Sequence, residues 1–469
     1  RFYLYLIMTK SAEKLYMSYA VKNSEGAALM PSYIIRSMRK MFSHCLKLSY
    51  KDTAQQNSYV TIPRAANSFD NTEIAANVDE DIIDSLTGGR LVGSVTSFEN
   101  FAECPLRYYL RYGVDLKERE EFTFSPVNFG VVLHAVIREV CDEIKKNGES
   151  YYLISEEKRR EMVKRSVAAI TDIYQNSILK DSSRNSFMIK RMEDLADRTV
   201  WAMGEQLKCG DFVPFVFEHK FNMEVGDGDR KQLMSGTIDR VDICENGTDV
   251  YVRIIDYKTG KKDFNIVKTY YGIDIQLMVY MEAAMKLVAK MRPGKNVIPA
   301  GVFYYNISDP IVSATTESAE EIEDKIKGEL RLKGMVNSDK DIAEKMDNTE
   351  GTSLNIPVSR KADGGFDSRR SKVMNTEQFN MLGRFVDVRA IDTADRIAGG
   401  DIRRSPYKDG QFSSCDRCPY GAVCGFSVDL PGCNYRKLKK FDDEVLWNNI
   451  KEGVDENGKK MDTGAEERD

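Results

Sequence analysis

Residues 254–261 read IIDYKTGK. An apolar pair leads into Asp256, a single aromatic residue separates it from Lys258, and a Thr-Gly turn ends the stretch. The lead-in reads as a strand with a buried face. Alternation places residues two apart on the same side of a strand, so the Asp256 carboxylate and the Lys258 ammonium point into one place. Two chemistries fit that pair. One is an ion pair at an exposed strand end, which contributes little. The other is a site where the carboxylate holds a metal ion and the lysine acts on a water.

The preceding strand ends in GTIDRVDI. Asp239 lies there among β-branched residues, where an unpaired buried carboxylate is costly. Two strands that each deliver one Asp offer a hard cation such as Mg²⁺ two oxygen ligands, leaving room for waters and phosphate oxygens. The competing expectation is a cross-strand ion pair of Asp239 with Arg240 or Arg253. Gln276 and Tyr280, in DIQLMVYMEA, lie four apart and share one face of an otherwise apolar helix. His134 sits on another apolar helix, GVVLHAVIRE, with Arg138 one turn later. It reads either as a satisfied core histidine or as a ligand. Glu218, in FVFEHKF, is a weaker candidate for one more acidic contact.

Nine cysteines are spread unevenly. Cys45, Cys141, Cys209 and Cys244 stand alone in apolar or mixed surroundings and read as buried thiols. Cys415, Cys418, Cys424 and Cys433 crowd into one short segment, which suits a metal site in a reducing cytoplasm better than a disulfide framework. The first three form C-x2-C-x5-C, an incomplete tetrahedral set. The fourth thiolate is either Cys433, giving a local zinc site, or the distant Cys104 in FAECPLRYYL. Thiolates suit zinc and iron–sulfur alike, and spacing does not separate them. Beside Cys104, Arg107, Tyr108, Tyr109, Arg111 and Tyr112 interleave basic and aromatic residues, as a single-strand binding surface does. An amphipathic helix with tyrosines in the core gives the same pattern.

These residues must be positioned by ordinary globular elements. Apolar residues make up 42% and charged residues 30% of 469, and the net charge of −5 gives no global basic signal, so nucleic-acid contacts must come from local patches. The sequence shows no apolar run of bilayer length and no secretory signal. A chain of this length is expected to hold two or three domains, and its start at Arg1 suggests a piece of a longer protein. Residues 1–50 alternate like a strand, then like a helix started by Pro31 and Ser32. Residues 51–92 read as a polar linker. Near Ser94 a helix is expected to open on a capping box, with Thr96 as N-cap and Glu99 three residues on. A second amphipathic helix spans 129–146, and helical periodicity covers 151–207. Strands follow around 212–225, 233–243 and 250–260, then a long helix from about 268 to 290 and a strand at VIPAGVFYYNI. Residues 309–400 mix helices with a polar loop. The segment 437–469 reads as a helix and a polar tail, with disorder expected from about 453.

The ordered set of a helical His, G-x-I-D, D-x-K and Q-x-x-x-Y resembles the RecB-family nuclease domain of the PD-(D/E)XK nucleases. The resemblance implies an α/β fold with a restriction-endonuclease-like core, a mixed sheet flanked by helices. It also implies a Mg²⁺ site on His134, Asp239 and Asp256, Lys258 acting on the attacking water, and Gln276 and Tyr280 supporting the lysine and the scissile strand. Cys104 before these motifs and Cys415, Cys418 and Cys424 after them resemble the subset of this family that holds a [4Fe–4S] cluster. Cys433 is an extra thiol there, and it keeps zinc open as the alternative. RFYLYLIMTKSAEKLYMSYA and GAALMPSYIIRSMRKMF resemble the end of a superfamily 1 helicase-like, RecA-type motor, as in AddB-family members of helicase–nucleases. LKGMVNSDKDIAEKMD and AGGDIRRSPY add to that likeness. The chain departs from active motors at Lys10, where an arginine normally reaches the ATP γ-phosphate, and it has no G-x-x-x-x-G-K-[ST] loop. The implied organisation is a motor end at 1–50, a linker at 51–92, a nuclease domain at 93–436 with an insert at about 309–400, and a C-terminal segment. The implied function is a DNA exonuclease domain acting on the 5′-ended strand during double-strand-break repair. Its partners would be single-stranded DNA ends and an AddA-like helicase–nuclease chain, with Arg107, Tyr108, Arg111 and Tyr280 on the nucleic acid. The alternatives are a non-catalytic DNA-binding module or a Cas4-like nuclease.

Overall fold

The computed structural model describes residues 92–466 apart from 118–125, 174–182, 226–231, 314–316 and 429–432, together with a helix at Tyr33–Met41 and a few isolated positions before residue 92. The chain divides into two units, Arg1–Asp70 and Asn71–Asp469. In the first, Tyr33–Met41 is the helix expected after Pro31 and Ser32. The rest of the expected motor segment and almost all of the linker lie outside the described residues.

The second unit is built on one mixed sheet. It begins with β1 (Val92–Ser94), α1 (Val95–Glu103) and α2 (Pro105–Tyr108), the last running into a π-helical turn at Tyr109–Gly113. Three long helices follow: α3 (Pro126–Lys146), α4 (Glu156–Ile173) and α5 (Ser183–Lys208). Then come β2 (Val213–Val225), β3 (Gln232–Asn246) and β4 (Asp249–Lys258), the short α6 (Ile266–Tyr270), α7 (Gln276–Met291) and β5 (Asn296–Asn306). The remainder is α8 (Ala319–Glu329), β6 (Lys333–Asn337), α9 (Lys340–Met346), β7 (Val373–Met374), α10 (Thr376–Ala398), β8 (Tyr407–Asp409), β9 (Phe412–Ser413), α11 (Gly421–Cys424), β10 (Arg436–Lys437) and α12 (Asp443–Glu466). In the main sheet β3, β4, β5, β6 and β7 lie side by side. β2 runs antiparallel along the other edge of β3, and β1 runs parallel to its first residues. β4 and β5 are parallel, while β3–β4 and β5–β6 are antiparallel.

Alternation divides the core. Ile255, Tyr257, Phe303 and Tyr305 pack under α3, α4 and α5. Ile254, Val302 and Tyr304 point the other way, under α1, α7, α10 and α12. A strand covered on both faces needs apolar residues at nearly every position, and β4 is buried from Val250 to Tyr257. Among the described residues no helix is long and apolar enough to cross a membrane.

Several boundaries differ from the sequence expectation. The long helix at 268–290 is two helices, split at Gly272, whose φ of 76° is open to glycine and strained for other residues. The split leaves Gln276 in the first turn of α7 rather than mid-helix. The N-cap of α1 is Ser94, whose hydroxyl accepts from the Ser97 N–H, so Thr96 and Glu99 form no capping box. The segment 309–400, expected as an insert, supplies β6 and β7 to the sheet and α10 to its face. The tail expected to be disordered from about 453 continues α12 to Glu466.

One buried charge cluster ties β3 to β4. Asp242 accepts from Arg240 at 2.7 and 2.6 Å and from Arg253 at 2.9 Å. All three side chains are fully buried. Burial works against the Asp242 charge, but Arg240 and Arg253 outweigh it and hold the carboxyl below its ordinary range. That stability is present above the ordinary carboxylate value and lost as pH falls through the folded one. Asp242→Ala leaves two guanidiniums buried without a counter-charge, and the expected loss is about 3–5 kcal/mol, read as a shift of the urea midpoint. A shift under about 1 kcal/mol, the scale of a surface pair, would show that the arginines find other partners.

Candidate functional site

The β3–β4 ladder runs from Asn246↔Asp249 to Arg240↔Ile255 and ends there. Further back along β3, β1 takes over the same edge at Leu233, Met234 and Ser235. Asp239 and Asp256 are the first residues past the ladder, in the split between these pairings. Asp239 Oδ2 accepts the Tyr257 N–H at 2.6 Å, a side chain standing where a carbonyl would have continued the sheet. Arg240 and Arg253 are committed to Asp242, so the cross-strand ion pair that competed for Asp239 does not form.

Asp239 meets His134 of α3 instead. His134 Nδ1 lies 3.3 Å from Asp239 Oδ1 and 3.6 Å from Glu218 Oε1. Glu218 faces Asp239 across the β2–β3 register, between the pairs Phe217↔Arg240 and His219↔Ile238. Its φ of 46° is left-handed, a strained conformation for a residue with a Cβ. One ligand atom from each of His134, Glu218 and Asp239 lies within 4.8 Å of the others. Burial lowers the affinity of His134 for its proton, but the two carboxylates outweigh burial and push it up to about 10.

Asp256 stands beside this trio rather than in it. Its Oδ2 lies 2.5 Å from Lys258 Nζ, and alternation brings the two together as expected. The contact is no surface ion pair, because Asp256 is 2% exposed. Burial, and then the like charge of Asp239, push Asp256 up to about 7 in spite of Lys258. Carboxylates that repel across a buried split, with one imidazole beside them, are a donor set that fits a hard divalent cation.

The first turn of α7 closes the far side. Gln276 Nε2 donates to the Tyr280 hydroxyl at 2.9 Å. Burial, and then the Asp256 charge, hold that hydroxyl above its ordinary range. Gly236 makes room for it, since a Cβ there would stand 2.7 Å from the Phe221 ring and 3.0 Å from Tyr280. Four residues missed in the sequence complete the wall. Glu99 Oε1 accepts the backbone N–H groups of Ile275 and Gln276 at 2.9 and 3.0 Å, capping α7 from α1. Asp274 accepts the Tyr304 hydroxyl at 2.7 Å and lies 3.0 Å from Lys262 Nζ. The Lys262 ammonium sits 4.5 Å from the Tyr304 ring centre. Lys262 directly follows the motif and was legible by proximity. Glu99 was masked by its capping-box spacing.

Cys104, Cys415, Cys418 and Cys424 line one cavity with Arg107 and Tyr420 among its walls. Cys433 is buried but is not part of that lining. Cys104 itself is extended, φ −167°, and breaks the helix between α1 and α2. The expected nucleic-acid residues divide. Tyr108 is 8% exposed, edge-on to Phe101, and cannot stack on a base; the amphipathic-helix expectation holds for it. Arg107 pairs with Glu103. Tyr280 is buried in the split. Arg111 is exposed and lies over the Tyr112 ring at 5.4 Å.

The sequence model for the PD-(D/E)XK nuclease superfamily matches residues 93–425. The chain is 31% identical to the B subunit of the ATP-dependent helicase/deoxyribonuclease of Caldanaerobacter subterraneus subsp. tengcongensis, over 100% of this chain and 45% of that protein. It is 30% identical to the protein of the same name from Clostridium acetobutylicum, over 98% of this chain and 44% of that one. For the Lachnoclostridium phytofermentans protein of that name the figures are 30%, 99% and 44%. The chain thus spans less than half the length of these relatives.

The Glu99 cap gives a pH-dependent expectation. Burial, partly offset by Lys262, raises Glu99 from 4.5 to about 7. A carboxyl raised by folding contributes stability that is present below its unfolded value and lost as pH rises through the folded one. Glu99→Gln keeps an acceptor for α7 and does not titrate. Wild type is therefore expected to lose stability relative to Glu99→Gln as pH rises from about 4.5 to about 7. Glu99→Ala removes the acceptor as well, at about 1–2 kcal/mol. Urea midpoints across that window check both, and a constant wild-type-to-Gln difference would contradict the first.

Proposed function

The chain belongs to the PD-(D/E)XK nuclease superfamily, and from that premise we propose that the split between β3 and β4 is a phosphodiesterase site acting on DNA. One observation carries the reading: the end of a single ladder collects His134, Glu218, Asp239, Asp256 and Lys258, with Gln276 and Tyr280 across from them. A Mg²⁺ ion would be held by Asp239, Asp256 and His134, with Glu218 as a further oxygen ligand. When bound, it supplies Lewis-acid stabilisation of the phosphate's charge.

The chain's own residues do the rest. Lys258 holds a water by its ammonium and offsets charge growing on the phosphate. Gln276 fixes the Tyr280 hydroxyl, and together they orient Lys258 and the scissile strand. The water oxygen bonds to phosphorus and its proton passes to solvent. The P–O3′ bond breaks, and O3′ takes a proton from solvent. The products are a 3′-hydroxyl and a 5′-phosphate. The relatives' names give the B subunit of an ATP-dependent helicase/deoxyribonuclease; in this reading, which follows the family resemblance, the chain is part of such a protein and trims the 5′-ended strand of unwound DNA beside an AddA-like partner, in double-strand-break repair.

The four-cysteine cavity is the seat of a [4Fe–4S] cluster in this reading. The cavity brings Cys104 to Cys415, Cys418 and Cys424 and leaves Cys433 outside its lining; four thiolates suit zinc and iron–sulfur alike, and the family resemblance favours the cluster. Such a cluster ties residue 104 to the segment 415–424 and removes loop-closure entropy from the unfolded chain.

Asp239→Ala and Asp256→Ala are expected to abolish Mg²⁺-dependent cleavage of a labelled single strand. Lys258→Ala is expected to slow single-turnover cleavage by a factor on the order of a hundred or more, with little change in DNA affinity. Cleavage near the wild-type rate with any of the three would sink the assignment. For the cysteines, anaerobically purified protein is expected to carry about four irons per chain. Cys104→Ala loses the iron and Cys433→Ala keeps it. One zinc per chain, indifferent to Cys104, would overturn the cluster.

A further inference from the structure

Beyond the split, the turn after β4 opens into a cleft of about 1210 Å³ that the catalytic reading leaves unused. Its walls are Thr259 to Asp263, α5 between Phe187 and Leu195, Asn306 at the end of β5 with Ile307 to Asp309 and Ile311 beyond it, and Glu329 and Lys333. Thr259 follows Lys258 directly, and Asn306 is the register partner of Lys258 on β5, so the cleft is continuous with the end of the active strand.

The lining charges do not cancel. Lys190 pairs with Asp194, Lys262 with Asp274, Lys372 with the cleft's Asp263, and Arg198 with its Asp309. Arg191, Lys261 and Lys333 have no ion-pair partner among the described residues, and Glu329 is the one lining carboxylate in the same position. Among the described residues, three uncompensated cations against one anion leave a positive wall in a chain whose net charge is −5. Two apolar side chains stand out into the same space: Phe187, 64% exposed on α5, and Ile311, fully exposed. A folded protein gains nothing from a phenyl ring held in water beside free cations. A polynucleotide satisfies both, its phosphates on the cations and a base face on the ring. Duplex bases are already stacked on their neighbours, so the ring selects an unpaired strand.

We infer that this cleft seats a single-stranded polynucleotide leading to the split, with Arg191, Lys261 and Lys333 on its phosphates and Phe187 stacked on a base. The ligand rests on the nuclease reading; the place rests on the cleft itself. The probe is a fluorescein-labelled oligothymidylate of roughly sixteen nucleotides, titrated in EDTA so that binding is measured without cleavage. Each phosphate contact contributes about −0.7 to the slope of log affinity against log salt for a single strand. The triple variant Arg191→Gln, Lys261→Gln, Lys333→Gln is therefore expected to lower the slope by about 2. Phe187→Ala is expected to weaken binding about fivefold or more without changing the slope. Melting curves verify that these substitutions, at the exposed Arg191, Lys261 and Phe187 and the half-buried Lys333, leave the fold intact.

Unchanged slope and affinity in the triple variant, equal losses toward a duplex of the same length, or no binding by wild type would each overturn the inference. The two readings fail separately. A wild type that binds in EDTA with these sensitivities but never cleaves with Mg²⁺ defeats the nuclease reading and leaves the cleft standing. A chain that cleaves while the triple variant binds like wild type defeats the cleft.

Discussion

Everything around the split follows from negative charge held out of water. Glu218, Asp239 and Asp256 converge at the end of one ladder, with Glu99 and Asp274 on the wall behind them. Carboxylates in a poorly solvated site raise one another's proton affinity unless cations or hydrogen-bond donors stand close. The chain supplies such groups from every side: His134 from α3, Lys258 and Lys262 from β4 and the turn after it, the first N–H groups of α7, and the Tyr257 N–H. Compensation stays incomplete at Asp256 and at Glu99, which burial holds up at about 7. The fold thus leaves carboxylate charge in excess beside the trio of His134, Glu218 and Asp239, whose ligand atoms lie within 4.8 Å of one another.

Which side chains meet was more legible than the scaffolding. Asp256, Lys258, Gln276 and Tyr280 announced themselves because i,i+2 on a strand and i,i+4 on a helix fix which side chains meet. Asp239 against Asp242 was harder. Both lie on the same strand near the same arginines, and only the register decides that Arg240 and Arg253 go to Asp242 and leave Asp239 for His134. Glu218 looked marginal in the sequence because its position opposite Asp239 depends on a non-local pairing, and its left-handed backbone departs from strand expectation. The mixed sheet flanked by helices is the fold that the family resemblance implied.

The misreadings share one cause: a local pattern was satisfied from elsewhere in the molecule. Glu99 had capping-box spacing for its own helix, yet it caps one that begins 177 residues later. Residues 268–290 had continuous helical periodicity, yet Gly272 turns the chain so that a helix start faces the site. Residues 309–400 looked peripheral because β6 and β7 are only five and two residues long, too short to show alternation. Tyr108 matched a stacking surface in composition, and packing on Phe101 withdrew it.

The hold on α1 has a consequence in time. Residues 102–116 are fastened to the far end of the chain: the Tyr420 hydroxyl donates to the Leu116 carbonyl at 2.9 Å, the Leu106 N–H donates to the Arg403 carbonyl at 3.3 Å, and Arg436 donates to the Ala102 carbonyl. Ribosomes extend a chain at about 5–20 residues per second. The roughly three hundred residues between these partners therefore emerge over about fifteen seconds to a minute. Through that interval α1, and with it the Glu99 cap on α7, lacks its distal anchor. The order of synthesis thus acts as a delay: the acidic split is braced last, once almost the whole nuclease domain has left the ribosome.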